Sequence, residues 1–155
     1  MTIDEVLYWA DRMKTLCKAN EEEVDQVRDA IRIFFRACGL NKEGLHRENW
    51  VEANQVFAEA ERQRKTRGEQ SLVALLGNAY YDVLDEDGDN LVSLPELKRM
   101  MNVFRVPEEA AYTFFEHADV DGNGQLEREE MHALFHKFWL EKYNPELDGI
   151  YAYKY

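Results

Sequence analysis

The stretch DEDGDNLVSLPE, residues 85–96, sets Asp85, Glu86, Asp87, Asp89 and Glu96 within twelve consecutive positions, directly after an apolar run. Two unit charges ~4 Å apart repel by about 1 kcal/mol even in water. A segment this acidic therefore needs a compensating cation. The same pattern returns further along. YYDVLDEDGDNLVSLPELKRMM (80–101) overlays FFEHADVDGNGQLEREEMHALF (114–135), with Tyr80 and Tyr81 over Phe114 and Phe115. Asp85, Asp87 and Asp89 fall over Asp119, Asp121 and Asn123, Val92 over Leu126, and Glu96 over Glu130. A repeat of this size is one supersecondary unit used more than once. Each unit reads helix, twelve-residue loop, helix.

Composition supports a folded, cation-seeking chain. It has 155 residues, 45% apolar and 32% charged, with a formal charge of −12. That charge argues against nucleic acid or an anionic membrane surface as a partner. No apolar run approaches the ~18 residues of a membrane span, and the N-terminus MTIDEVLYWADRM shows no apolar signal segment. Cys17 and Cys38 are far apart and form no CxxC pair, which fits reduced thiols and a cytoplasmic protein. A monomer is expected.

Helical signals dominate, and no segment keeps a strand period of two. EEEVDQVRDAIRIFFRAC places Val24, Val27, Ile31, Phe34 and Phe35 on one face, acids Glu21 to Glu23 in its first turn, and Gly39 at its stop. A further helix is expected over 47–67, with Trp50, Val51, Phe57 and Ala58 as its apolar face. Its basic end, RQRKTRG, reads as cations complementing a helix C-terminus. Others are expected over 71–84, 94–103, 107–118 and 128–141. A short β-contact should join Leu91–Val92 to Gln125–Leu126.

The loop spacing is that of a calcium site. Calcium takes six to eight oxygen ligands, and the EF-hand loop supplies them from positions one, three, five, seven, nine and twelve, with a sharp turn at position six. In the second copy these are Asp119, Asp121, Asn123, the Gln125 carbonyl, Glu127 and Glu130, with Gly124 at the turn. In the first they are Asp85, Asp87, Asp89, the Leu91 carbonyl, Ser93 and Glu96, with Asn90 in place of Gly. Asn is the next best residue at positive φ. The competing reading of Ser93–Glu96 is a capping box, which leaves the three upstream aspartates without a purpose. A degenerate loop, GLNKEGLHRENW (39–50), keeps only Asn41 and Glu43 as side-chain ligands. TIDEVLYWADRM resembles the end of another loop with Glu5 at position twelve, or else a Thr2–Glu5 capping box. The expected fold is thus all-α: two packed EF-hand pairs, residues 1–67 (first hand incomplete, second degenerate) and 68–155 (two calcium loops).

The tail FHKFWLEKYNPELDGIYAYKY (135–155) is rich in rings and either finishes the core or closes a cavity. The hand layout, the defective second loop, FW at 138–139 and a Tyr near the C-terminus resemble the calcium-regulated photoproteins. DEVLYWADRM (4–13), RENWVEANQVFAEAE (47–61), EEAAYTFFE (108–116) and YAYKY (151–155) resemble the ctenophore branch. The resemblance implies a luciferin, coelenterazine in its 2-hydroperoxy form made with molecular oxygen, held in an apolar cavity. Calcium would trigger its single-turnover decarboxylation to excited coelenteramide, with blue emission in the cytoplasm of a photocyte. It assigns Tyr151 to the peroxide and gives the cavity Trp139, Phe138, Trp50 and Phe57, with Trp9 and Met13 from the first hand.

The jellyfish branch has a His where Phe135 stands here, and a Tyr and Trp where Ala53 and Phe57 stand. His132 and His136 are four apart, but Ala133 breaks the HExxH zinc pattern and a plain His pair is expected. The family also has an entering helix and a whole loop before the position of Glu5, so weak charging with coelenterazine is expected of these 155 residues. A calcium buffer of the sarcoplasmic type and a sensor gripping a partner helix are the alternatives.

Overall fold

The computed structural model describes residues 2–40, 44 and 47–140, except the side chains of 47, 48, 50, 51 and 138. Among the described residues there are seven helices: α1 (Ile3–Leu16), α2 (Glu21–Ala37), α3 (Arg47–Thr66), α4 (Leu72–Leu84), α5 (Leu94–Val103), α6 (Glu109–Ala118) and α7 (Arg128–Leu140). The all-α EF-hand architecture expected from the sequence is the one observed. One boundary differs by more than a single residue. Helix α6 starts at Glu109 rather than at Pro107, because the first turn is tighter: Ala110 N–H donates to Pro107 O at 3.0 Å, three residues back. No described helix is long and apolar enough to cross a membrane.

The core is built on α2 and α4. Asn20 starts α2 with a capping box, its Oδ1 accepting from Glu23 N–H at 3.0 Å while Glu23 Oε2 accepts from Asn20 N–H at 2.8 Å. Gly39, at φ 86°, ends the helix, and Leu40 N–H reaches back to Phe35 O at 2.9 Å. Between these ends the apolar stripe Val24, Val27, Ala30, Ile31, Phe34 and Phe35 is buried. Burial of each large side chain is worth about 1.5–3 kcal/mol. Helix α2 packs on α1 and α4, and α4 packs in turn on α7. Cys17 and Cys38 are both buried, and burial pushes the Cys17 thiol up to about 11.

Helix α4 is apolar almost throughout and has no acid of its own in the first turn. Glu61 of α3 supplies one. Its carboxylate is 4% exposed and accepts from Ser71 Oγ–H at 2.7 Å and from Leu72 N–H at 3.1 Å. A carboxylate on the unpaired amides of a helix start satisfies both their hydrogen bonds and the helix dipole. This contact welds α3 to α4. Replacing Glu61 with Ala strands those donors, and Glu61→Ala is expected to lower the unfolding free energy by about 2 kcal/mol in urea titrations.

Candidate functional site

The loops 85–96 and 119–130 lie between α4 and α5 and between α6 and α7. Their backbones meet at one antiparallel bridge, with Val92 N–H donating to Leu126 O at 2.9 Å and Leu126 N–H to Val92 O at 2.8 Å. That is the β-contact expected from the repeat. A second link was not legible in sequence: the Tyr81 hydroxyl, from α4, lies 2.7 Å from Asn90 O and 3.0 Å from Leu126 O. One phenol therefore spans both loops.

Each loop folds around its own acids. Asp85 Oδ1 accepts from Asp89 N–H at 3.0 Å and Oδ2 from Asn90 N–H at 2.9 Å. Asp119 repeats this with Asn123 N–H at 3.1 Å and Gly124 N–H at 3.0 Å. The turn residues Asn90 and Gly124 sit at φ 63° and 80°, so Asn takes the left-handed geometry that Gly takes in the other copy. Backbone curled around these amides turns carboxylate oxygens inward. Asp85, Asp87 and Asp89 each offer an oxygen within 4.8 Å of the others, as do Asp119, Asp121 and Glu130. Among the described residues no Lys or Arg forms an ion pair with any of these six. Converging hard oxygens without a cationic side chain fit a hard divalent cation.

The two twelfth-position carboxylates differ. Glu130 belongs to its acidic group, and its carboxylate accepts from Val120 N–H at 2.9 Å and Glu127 N–H at 3.0 Å. Glu96, 6% exposed, accepts from Glu86 N–H at 3.1 Å and Ser93 N–H at 2.7 Å, and also from the Ser93 hydroxyl at 2.6 Å. The group of three around Asp85 does not include it. The capping box forms, and it occupies the same Glu96 carboxylate that the sequence reading expects as a ligand. Thr2 and Glu5 do form a capping box. The Leu91 and Gln125 backbones flank the bridge, Ser93 is half-buried and Glu127 is exposed.

Of the residues expected to line a cavity, Met13, Phe57 and Trp139 are buried and Trp9 is half-buried. Three of their rings converge on α2. Phe34 lies 4.8 Å from Phe57 and 4.7 Å from Trp139, and Phe35 lies 6.0 Å from Trp9 and 6.1 Å from Trp139, centre to centre. Trp9 continues to Phe104 at 5.0 Å, Phe104 to Tyr80 at 5.6 Å, and Tyr80 to Phe135 at 6.3 Å. Phe34 and Phe35, legible in the sequence as an apolar face, and Tyr80 and Phe104 are members that the sequence reading did not assign to a cavity. Tyr151 and the side chains of Trp50 and Phe138 lie outside the described residues, as do Asn41 and Glu43. His132 and His136 instead line an open cleft of about 710 Å³ between α3, α4 and α7, beside Glu61, Arg62 and Lys65. Among the described residues, none of those expected to line a cavity borders that cleft. The His132 ring packs on Gly77, where an added Cβ would come within 3.2 Å of it, and burial lowers its pKa.

The family model for the calcium-binding region of the secreted protein acidic and rich in cysteine matches residues 45–133, a span holding both acidic loops. Similarity to photoproteins extends further. The calcium-loaded apoprotein of berovin, a light-sensitive photoprotein from the ctenophore Beroe abyssicola, is 61% identical with a TM-score of 0.83, covering 90% of this chain and 77% of that one. Magnesium-loaded apo-berovin is 60% identical with a TM-score of 0.83, covering 91% of this chain and 78% of that one. Obelin from Obelia geniculata is 31% identical over 98% of this chain and 80% of its own length.

The Tyr81 bridge is testable without any ion. Burial pushes its hydroxyl up to about 12, against the pull of Arg128, whereas an unfolded tyrosine ionises near ~10. The neutral phenol is thus favoured by folding. Its contribution is full below pH ~10 and is lost as pH rises towards 12. Tyrosinate absorbance should show a late-ionising phenol that Tyr81→Phe removes. The same variant should lose about 1 kcal/mol of stability at neutral pH.

Proposed function

This chain belongs to the calcium-regulated photoproteins, in their ctenophore branch, and on that premise we propose that it holds coelenterazine among its converging rings and emits light when calcium fills its two loops. The observation that carries the reading is the connection between the two parts. Each acidic loop runs straight into a helix that leads to the aromatic cluster: α5 to Phe104, which packs on Trp9, and α7 to Trp139, which packs on Phe34.

Asp85, Asp87, Asp89, the Leu91 carbonyl, Ser93 and Glu96 would hold one ion, and Asp119, Asp121, Asn123, the Gln125 carbonyl, Glu127 and Glu130 the other. When bound, calcium supplies the positive charge that these carboxylates lack. Glu96 and Glu130 sit in the first turns of α5 and α7, so any change in their hydrogen bonds is felt at a helix end. Glu96 must give up the Ser93 hydroxyl to turn towards Asp85. Bound coelenterazine supplies the oxidisable core whose decarboxylation releases light. Trp9, Met13, Trp50, Phe57, Phe138 and Trp139 would keep water from it, which preserves both the reactive form and the emission. Tyr151 would hold it by its hydroxyl. The chain is read as two EF-hand pairs, 1–67 and 68–155, acting as a cytoplasmic monomer that turns over once per charging.

Incubation with coelenterazine in air, followed by calcium injection, is expected to give a weak flash. Calorimetry should show Glu96→Gln and Glu130→Gln each removing one loop's share of the calcium uptake. A dark parent protein would overturn the luciferin reading. Unchanged uptake in the double variant would overturn the ligand assignment.

A further inference from the structure

Helix α5 ends without a basic residue in its last turn. Its terminal carbonyls would normally fall to solvent or to a nearby cation. Here the cation comes from the other end of the sequence. Arg12 of α1 donates from Nε to Val103 O at 2.8 Å and from Nη2 to Asn102 O at 2.6 Å. The same Nη2 lies 3.4 Å from Asn102 Oδ1. A planar guanidinium fork holds two successive carbonyls in a fixed direction, which a single ammonium cannot do. The chain then turns through Phe104 and Arg105, the latter at φ 58°, and Val106 N–H closes the helix end on Met101 O at 2.9 Å.

The fork lies between Trp9 and Met13 on α1. Trp9 meets Phe104, the residue that follows α5, edge-on at 5.0 Å and 79°. Thus the far end of α5 is fastened to α1 by charge and by ring contact within a few residues. At its near end, α5 begins with Glu96 of the acidic loop, and Glu86 of that loop pairs with Arg99 of α5 at 2.8 Å and with Lys18 just beyond α1. The Lys18 pair is exposed on its lysine side and contributes little. In the Arg12 fork the Nε bond is part-buried and the Nη2 contacts are exposed, and together they bridge two helices.

We propose that Arg12 is a positioning residue that makes α1, and with it Trp9, move with α5 when loop 85–96 takes up its ion. The inference rests on the calcium reading of that loop and not on the luciferin reading. The two acidic loops then address different rings: loop 85–96 reaches Trp9 through α5 and Arg12, and loop 119–130 reaches Trp139 directly through α7.

Fluorine NMR of the full chain labelled with fluorotryptophan reads this without any luminescence. The resonances are assigned by Trp9→Phe and Trp139→Phe. Calcium is expected to displace the Trp9 resonance in the parent, and Glu96→Gln should abolish that displacement while Glu130→Gln retains it. Arg12→Met is expected to shrink it roughly fivefold or more, the low end of ordinary coupling strengths. The Trp139 response should stay intact, and calorimetry should still show both loops filling. Arg12→Lys, which keeps the charge and the stem, should lose the Trp9 response as well and serves if the Met variant is unfolded. A full Trp9 response in either Arg12 variant would overturn the proposal, as would equal loss at Trp139, which marks general loosening. Absence of calcium uptake by the parent would overturn both the coupling and the calcium reading. A parent with a Trp9 response that stays dark after charging would overturn the luciferin reading alone and uphold the coupling.

Discussion

Two groups of carboxylates lie in loops 85–96 and 119–130, each with oxygens within 4.8 Å of one another and with no described Lys or Arg paired to them. Backbone amides take the place of a counter-charge. The N–H groups of Asp89 and Asn90 close on Asp85, and those of Asn123 and Gly124 close on Asp119. Such dipoles curl each loop but leave net negative charge at its centre. The proposed function depends on that residual repulsion, which a divalent cation would offset. The loops are also not independent. The Val92–Leu126 bridge and the Tyr81 hydroxyl give them a common backbone frame.

The helices that leave the loops run to an aromatic network rather than to a groove of flexible side chains. Phe34 and Phe35 of α2 sit at its centre, buried to 0% and 2% exposure, with Phe57, Trp139 and Trp9 around them. Close-packed rings transmit displacement because interiors at this density do not compress. A membership that includes light-sensitive photoproteins gives this arrangement its purpose. In the function proposed above these rings would keep water from an oxidised luciferin and its excited product, and a small shift among them would disturb it.

The hand around loop 85–96 is held at both outer ends by the N-terminal helices. Glu61 of α3 sits on the start of α4, and Arg12 of α1 sits on the end of α5. Each supplies the charge that the capped helix lacks in its own terminal turn. Both links cross from residues 1–67 to residues 68–155, so α1 and α3 are each fastened to an outer end of that hand.

The sequence by itself determined the helices, the loops and the family. A twelve-residue ligand spacing is a local property, so Asp85, Asp119 and their neighbours were legible from position alone. The same holds for the stripe Val24 to Phe35 and for the turn at Asn90, each fixed by residues a few places apart. Tertiary structure alone decided that Glu61 caps α4, that Tyr81 bridges both loops, that Phe104 joins Trp9, and that Arg12 caps α5 across 91 positions of sequence. Each is a pairing between residues with no common period, and a lone Glu, Tyr, Phe or Arg on a helix carries no mark of its distant partner. The interaction exists only once folding brings an unsatisfied helix end or carbonyl within hydrogen-bond reach of the charge or hydroxyl that completes it.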